Sequence, residues 1–142
     1  MTENVNERDE HGHTPLIDAA KAGDVAAISD LISRGAELDA RSEKGKTALH
    51  YAAANGHAWA IKELLANGAA VDPRDRDWHT PLMFAAIYGC NECVQDLLGS
   101  GADVNARTLA GNTALMYAEN NGHPDTAEIL KKVLRARPHA TV

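Results

Sequence analysis

Apolar residues fall along the chain in short clusters spaced three and four apart, each ended by glycine. Ile61, Leu64 and Leu65 form one such stripe, the spacing that places side chains on a single helical face. It predicts a helix over about 58–66. Ahead of it, Thr47 precedes a run of about nine residues carrying Ala52 and Ala53 and stopping at Gly56. Threonine there suits an N-cap, its hydroxyl accepting an orphan amide N–H of the first turn. Pro15 and Pro81 follow the equivalent threonines, at the first helical position, where a missing N–H costs nothing. Gly68 ends the second helix as the residue best able to adopt a left-handed conformation. The stretch that follows reads as an extended, hairpin-like arm with a turn at its tip. Asp39, Asp72 and Asn105 share one column there and are expected to bond nearby backbone N–H groups.

The same chemistry returns every 33 residues. Thr14, Thr47, Thr80 and Thr113 keep that interval, as do Gly23, Gly56, Gly89 and Gly122, and Leu31, Leu64, Leu97 and Leu130. The chain therefore reads as four tandem units, about 12–44, 45–77, 78–110 and 111–142, behind an acidic tail at 1–11. Helices this short are marginal alone in water, so each unit must bury its apolar face against the next. The pairs Ala19-Ala20, Ala52-Ala53 and Ala85-Ala86 admit close helix approach.

Composition narrows the class. The chain has 142 residues, is 44% hydrophobic but 4% aromatic, and carries a net charge of -6. Disordered, collagen-like and disulfide-scaffold classes are excluded on those figures. An acidic balance also argues against a nucleic-acid partner. Acidic residues gather in the tail and first unit, basic ones from Lys131 to Arg137. The N-terminus does not read as a secretory leader, and no apolar run is long enough for a bilayer. The expectation is a cytoplasmic protein with no membrane partner. Cys90 and Cys93 are expected to be free thiols in a reducing compartment.

The second unit, GKTALHYAAANGHAWAIKELLANGAAVDPRD, and the third, WHTPLMFAAIYGCNECVQDLLGSGADVNARTLA, resemble the ankyrin-repeat family, whose 33-residue unit carries a T-P-L-H-x-A signature. The resemblance covers about Asp9 to Leu134. It implies an all-α solenoid of four stacked ankyrin-type helix-turn-helix repeats with projecting β-turn arms. It further implies a non-catalytic protein-binding scaffold that uses arm tips and first helices as a concave surface. Only His50 keeps the signature histidine, with Ile17, Met83 and Met116 elsewhere, so those seams should lean on apolar packing. Asp18 replaces the aromatic of Tyr51, Phe84 and Tyr117, as suits an outer side that meets water. Leu134 replaces the closing glycine of the last unit, whose second helix should run on to Pro138. The array is expected to be complete.

On that geometry the candidate protein-binding residues are definable. Arg41, Arg74 and Arg107 form a column about 10 Å apart per step, suited to bidentate capture of carboxylates, or else paired with an acid of their own arm such as Asp75 or Glu43. Trp78 stands where Gly12, Gly45 and Gly111 stand. With Tyr88 it offers typical anchors of binding energy, beside His79 and Ile87; alternatively it folds over the adjacent arm. Lys44, Lys46, Asn55, Arg76 and Asp77 complete a polar rim, and Asn112, Asn120 and Asn121 offer neutral amides on the last unit. Trp59 is expected on the opposite side.

Catalytic chemistry is not expected. Cys90-Asn91-Glu92-Cys93 is a lone C-x-x-C outside a strand-helix-strand context. His57, Cys90 and His123 share a column, but ligands one repeat apart are too far separated to share a zinc. His11, His13 and His139 lack further ligands nearby. No phosphate loop, H-E-x-x-H or nucleophile elbow is present. The reading is thus a module without enzyme activity, cofactor or metal, monomeric by itself, that binds a protein partner. A dedicated accessory or inhibitory subunit of one enzyme and a self-associating structural protein are the alternatives.

Overall fold

A computed structural model describes residues 4–137. It contains eight helices: α1 (Pro15–Ala22), α2 (Val25–Ser33), α3 (Ala48–Ala54), α4 (Ala58–Ala66), α5 (Pro81–Ile87), α6 (Asn91–Gly99), α7 (Ala114–Asn120) and α8 (Pro124–Ala136). They form four helix pairs. The first helices pack in series as one layer, α1 on α3 on α5 on α7, and the second helices pack in series as another. The buried apolar residues form one continuous cluster that runs through every seam, from Leu16 and Ile17 in the first unit to Leu130 in the last.

Local caps explain where each helix starts. The hydroxyls of Thr14, Thr80 and Thr113 accept from the N–H of Ile17, Met83 and Met116. At Thr47 a ring does the work, since Nδ1 of His50 accepts the Thr47 N–H at 3.0 Å. The second helices of the first three units end in a left-handed glycine: Gly68 has φ 95°, and the Ala69 N–H returns to the Leu64 carbonyl.

The seams are filled by small residues facing large ones. Ala20, Ala52, Ala53, Ala85 and Ala86 are fully buried, with Leu64, Leu97 and Leu130 opposite them in the second layer. Ile17 and Met83 are buried at their seams as well. Met116, in the same column, is 38% exposed because no unit packs beyond it among the described residues.

The projecting β-turn arms are not present. Among the described residues there is no β-strand; the segments between units are irregular loops with one tight turn each. The reason lies in where the backbone groups are spent. Each turn closes on itself, as Ser42 N–H does to Lys46 C=O and Gly45 N–H to Ser42 C=O, and neighbouring turns exchange one bond, Arg76 N–H to Lys44 C=O. Side chains take other groups that a ladder would need. Asp39 accepts from the Ala70 N–H at 3.0 Å, and Arg41 donates to the Arg74 carbonyl at 2.6 Å. Local side-chain bonding of this kind competes with sheet pairing, and Pro73 removes one more donor. The Asx column also differs from expectation. Asn6, Asp39 and Asp72 bond the backbone of the next unit, at Glu37, Ala70 and Asp103, rather than their own turns.

The cysteines are corrected too. Cys90 and Cys93 are joined as a disulfide, and neither is a free thiol. Cys90 is the N-cap of α6 and Cys93 lies one turn in, which brings their Cα atoms to 5.3 Å, within bridging range. Helix α8 runs to Ala136 with Arg137 after it; its expected stop, Pro138, lies outside the described residues, as does His139. Among the described residues no helix is long and apolar enough to cross a membrane.

Candidate protein-binding face

The inter-unit turns and the first helices lie together along one edge of the stack, and the buried histidine of the second unit ties one to the other. Nε2–H of His50 donates to the carbonyl of His79 at 2.8 Å. His50 is fully buried, and burial pushes its pKa down from 6.5 to about 4. It is therefore neutral, with one nitrogen donating to the third turn and the other accepting from Thr47.

The arginine column does not present three free guanidiniums. Arg41 donates to the Gly45 carbonyl at 2.9 Å and to the Arg74 carbonyl of the next unit at 2.6 Å. Arg8 makes the same pair of bonds to Gly12 and Arg41. Each of these arginines staples its own turn to the following one. Arg74 departs from the pattern and stacks its guanidinium 4.3 Å from the centre of the Trp78 ring. Arg107 is exposed. Arg8 belongs to this column but stands in the acidic stretch, ahead of the first unit as the sequence delimits it; its position 33 residues before Arg41 is the signal that identifies it.

Trp78 holds φ 69°, the left-handed region, where its column otherwise has glycine; among the described residues no other non-glycine does so. Its ring is 43% exposed. Tyr88, 60% exposed, is the C-cap of α5, and Trp78 lies two residues before the N-cap Thr80. Ile87 is half-buried and its carbonyl accepts from Nε2–H of His123 at 2.9 Å. Asn55 and Asn121 are held by backbone carbonyls, of Lys21 and Tyr117 respectively. Asn120 is exposed at the end of α7, and Asn112 lies 3.5 Å from the Tyr117 hydroxyl. Trp59 is 69% exposed on the second-helix layer, under the ammonium of Lys62.

Five of the candidate residues do converge. Lys44, Lys46, Arg76, Asp77 and His79 line one groove of about 670 Å³ between the second and third turns. Phe84 and Glu43 line it with them, and neither was singled out from sequence. Phe84 was detectable as the aromatic that repeats at Tyr51 and Tyr117; Glu43 was marked only as an acid that could pair with an arginine of its own arm. Lys46 holds its ammonium 4.9 Å from the Phe84 ring and 6.0 Å from the Tyr51 ring. A smaller groove of about 230 Å³, lined in part by Lys21, Tyr51, Glu43 and Lys44, adjoins it.

Acidic groups at this edge are largely occupied by the backbone. Asp75 is buried, and one carboxylate oxygen accepts from the N–H groups of Asp77 and His79 at 3.0 and 2.8 Å. Asp9 makes equivalent bonds in the first turn, and the N–H groups of His13 and His11 hold its carboxyl below the usual carboxylate range. Asp75, Asp77 and His79 offer atoms within 4.8 Å of one another, as do Asp9, His13 and Asp18. Of these, Asp9 and Asp75 each close their turn through one carboxylate oxygen, and Asp18 Oδ1 lies 3.2 Å from Nδ1 of His13. Asp72 lies farther back in its loop, where burial raises its pKa.

The family model described as "Ankyrin repeats (3 copies)" matches the chain over residues 1–75, 19–108 and 71–141. No curated protein matches the chain.

Proposed function

This chain belongs to the ankyrin-repeat family, and on that footing we propose that it binds a partner protein through the edge built from its inter-unit turns and first helices. The family is characteristically one of non-catalytic scaffolds, and a helical solenoid of this type has a general role in protein interaction. Fold alone does not select a surface. The observation that carries this choice is the groove of about 670 Å³ between the second and third turns, where five of the polar side chains converge around Phe84. The same unit carries two exposed aromatics, Trp78 in the third turn and Tyr88 at the C-cap of α5.

The opposite layer is less suited. Its Lys62 is neutralised in place, reaching Asp96 at 2.6 Å and Glu92 at 3.1 Å, and its pKa is raised chiefly by the bond to Asp96. Capture from native lysate with the wild-type chain, with Trp78→Ala plus Tyr88→Ala, and with Trp59→Ala tests the choice of edge. Loss of the recovered partner in the double variant and retention in Trp59→Ala is expected. The reverse result places the contact on the second helices.

A further inference from the structure

The second helices are N-capped by Asp24, His57, Cys90 and His123, and the chemistry of that column changes at the middle seam. His57 and His123 donate from Nε2–H to the carbonyls of Lys21 and Ile87, and each ring fills the space over a glycine of the preceding unit. A Cβ on Gly23 or Gly89 would stand 2.6 Å from Nδ1 of that ring. Cys90 takes the same place in the third unit, and over Gly56 a Cβ would meet nothing within 4 Å. The middle seam therefore carries an open slot beside a short sulfur-bearing side chain.

The two cysteines are unequally placed. Cys93 is fully buried, in the column of Ala27, Ala60 and Thr126, whereas Cys90 is partly exposed. Cys90 Sγ also accepts the Cys93 N–H at 3.3 Å, as an N-cap does. Sulfur carries negative charge more readily at a helix N-terminus, and α6 supplies one. The bridge joins residues three apart in sequence, inside a single helical turn, so it removes little freedom from the unfolded chain. A crosslink that constrains the chain so little, with one sulfur reachable and the other enclosed, has the layout of an exchanging pair.

We infer that Cys90 is a site of reversible thiol–disulfide exchange with a small thiol of the glutathione class, which enters over Gly56, and that Cys93 resolves the mixed disulfide. The inference stands independently of the binding edge proposed above. In the oxidising direction the Cys90 thiolate attacks one sulfur of the small disulfide, forming a mixed disulfide and releasing one small thiolate. The Cys93 thiolate then attacks Cys90 Sγ. The Cys90–Cys93 bond forms, the mixed bond breaks and the second small thiolate leaves. Two electrons pass from the protein dithiol to the small disulfide, and the two cysteine protons end on the small thiols. Excess small thiol runs the same steps backward, and the burial of Cys93 directs the incoming sulfur to Cys90. The chain is the substrate of this exchange, in keeping with a scaffold.

The test uses the full chain in mixtures of reduced and oxidised glutathione, quenched with acid and read by intact mass after alkylation. Excess reduced glutathione is expected to open the disulfide while circular dichroism still reports a folded chain, and oxidised glutathione to restore it. Cys93→Ala, which copies Ala27 and Ala60, should retain one glutathione, at Cys90. Cys90→His, which copies His57 and His123, should take up glutathione at least about tenfold more slowly. Gly56→Asn fills the slot with a side chain that tolerates a left-handed backbone; added to Cys93→Ala, it should slow the uptake. A disulfide that opens only after urea unfolds the chain overturns the inference, as does equal uptake by the two cysteine variants. Undiminished uptake by folded Gly56→Asn protein overturns the entry route. If Cys93→Ala does not fold, alkylation of partly reduced wild type decides: Cys90 labelled first supports the site, and Cys93 labelled first overturns it.

Discussion

Nε2 of His79 lies 3.0 Å from the hydroxyl of Tyr117, 38 residues further on. His13 and Tyr51 make the same contact at 3.2 Å, and between them Lys46 lies over Phe84. Each contact locks a turn to the first helix of the following unit, so the turn edge is held in register by repeated bonds in place of a sheet. Tyr117→Phe is expected to cost about 1 kcal/mol, the net worth of one hydrogen bond. Tyr51→Phe should cost more, because its hydroxyl also donates to Ser42 Oγ at 2.9 Å. Urea denaturation of the two variants gives the comparison. A Tyr117→Phe midpoint equal to wild type means that this contact adds nothing to stability.

Stability should depend on His50 between about pH 4 and pH 6.5. The folded ring takes a proton only near pH 4, against 6.5 for an ordinary histidine. In that window the unfolded chain binds more protons, so acid favours unfolding. The contribution is complete above pH 6.5 and is lost as pH falls toward 4, by on the order of 3 kcal/mol. His50→Met, which copies the residue of the third unit, should flatten the pH dependence of denaturation in this window relative to wild type. Parallel curves would mean that other groups set the acid sensitivity.

Glycine in one column is required at some seams and idle at another. A Cβ on Gly89 would stand 2.6 Å from Nδ1 of His123, and a Cβ on Gly23 equally close to His57. At Gly56, where Cys90 replaces that histidine, a Cβ meets nothing within 4 Å. Both substitutions carry the strain of a left-handed alanine, about 1–2 kcal/mol. Gly89→Ala should therefore destabilise by at least about 1 kcal/mol more than Gly56→Ala, in keeping with overpacking. Adding His123→Ala should close part of that difference as a measurable coupling in a double-mutant cycle.

Trp78→Gly is expected to maintain or raise thermal stability while weakening partner capture. Its left-handed backbone costs about 1–2 kcal/mol, and the stacking of Arg74 on its exposed ring returns about 0.5–1 kcal/mol. Calorimetry of the variant checks the sign. A drop in Tm would show that the ring contributes more to the fold than its exposure indicates.

Much of the fold was legible because a repeat states its own alignment. Thr14, Thr47, Thr80 and Thr113 mark helix starts, and the buried alanines mark close-packed helices, since each small residue recurs where a neighbouring helix must pass. The loops were harder to read. Their turn residues looked like hairpin tips, yet Asp39, Asp72 and Arg41 spend their polar atoms on the next unit's backbone, a partner invisible to a window of local sequence. The site was legible in part for the same reason. Lys44, Lys46, Arg76, Asp77 and His79 were identifiable as turn residues, but nothing local showed that Phe84 walls the space they share or that Arg41 faces carbonyls.

The order of residues alone determined the period, the helix pairs and the small-against-large packing, because those depend on spacing within a unit and on its repetition. Stacking decided the rest: which histidine lies buried and neutral, which cation finds a carboxylate, and whether Cys90 and Cys93 meet. Those outcomes depend on distances across a seam, between atoms about 30 or more residues apart in the chain or turned toward each other by a helix end, and only packing brings such atoms together.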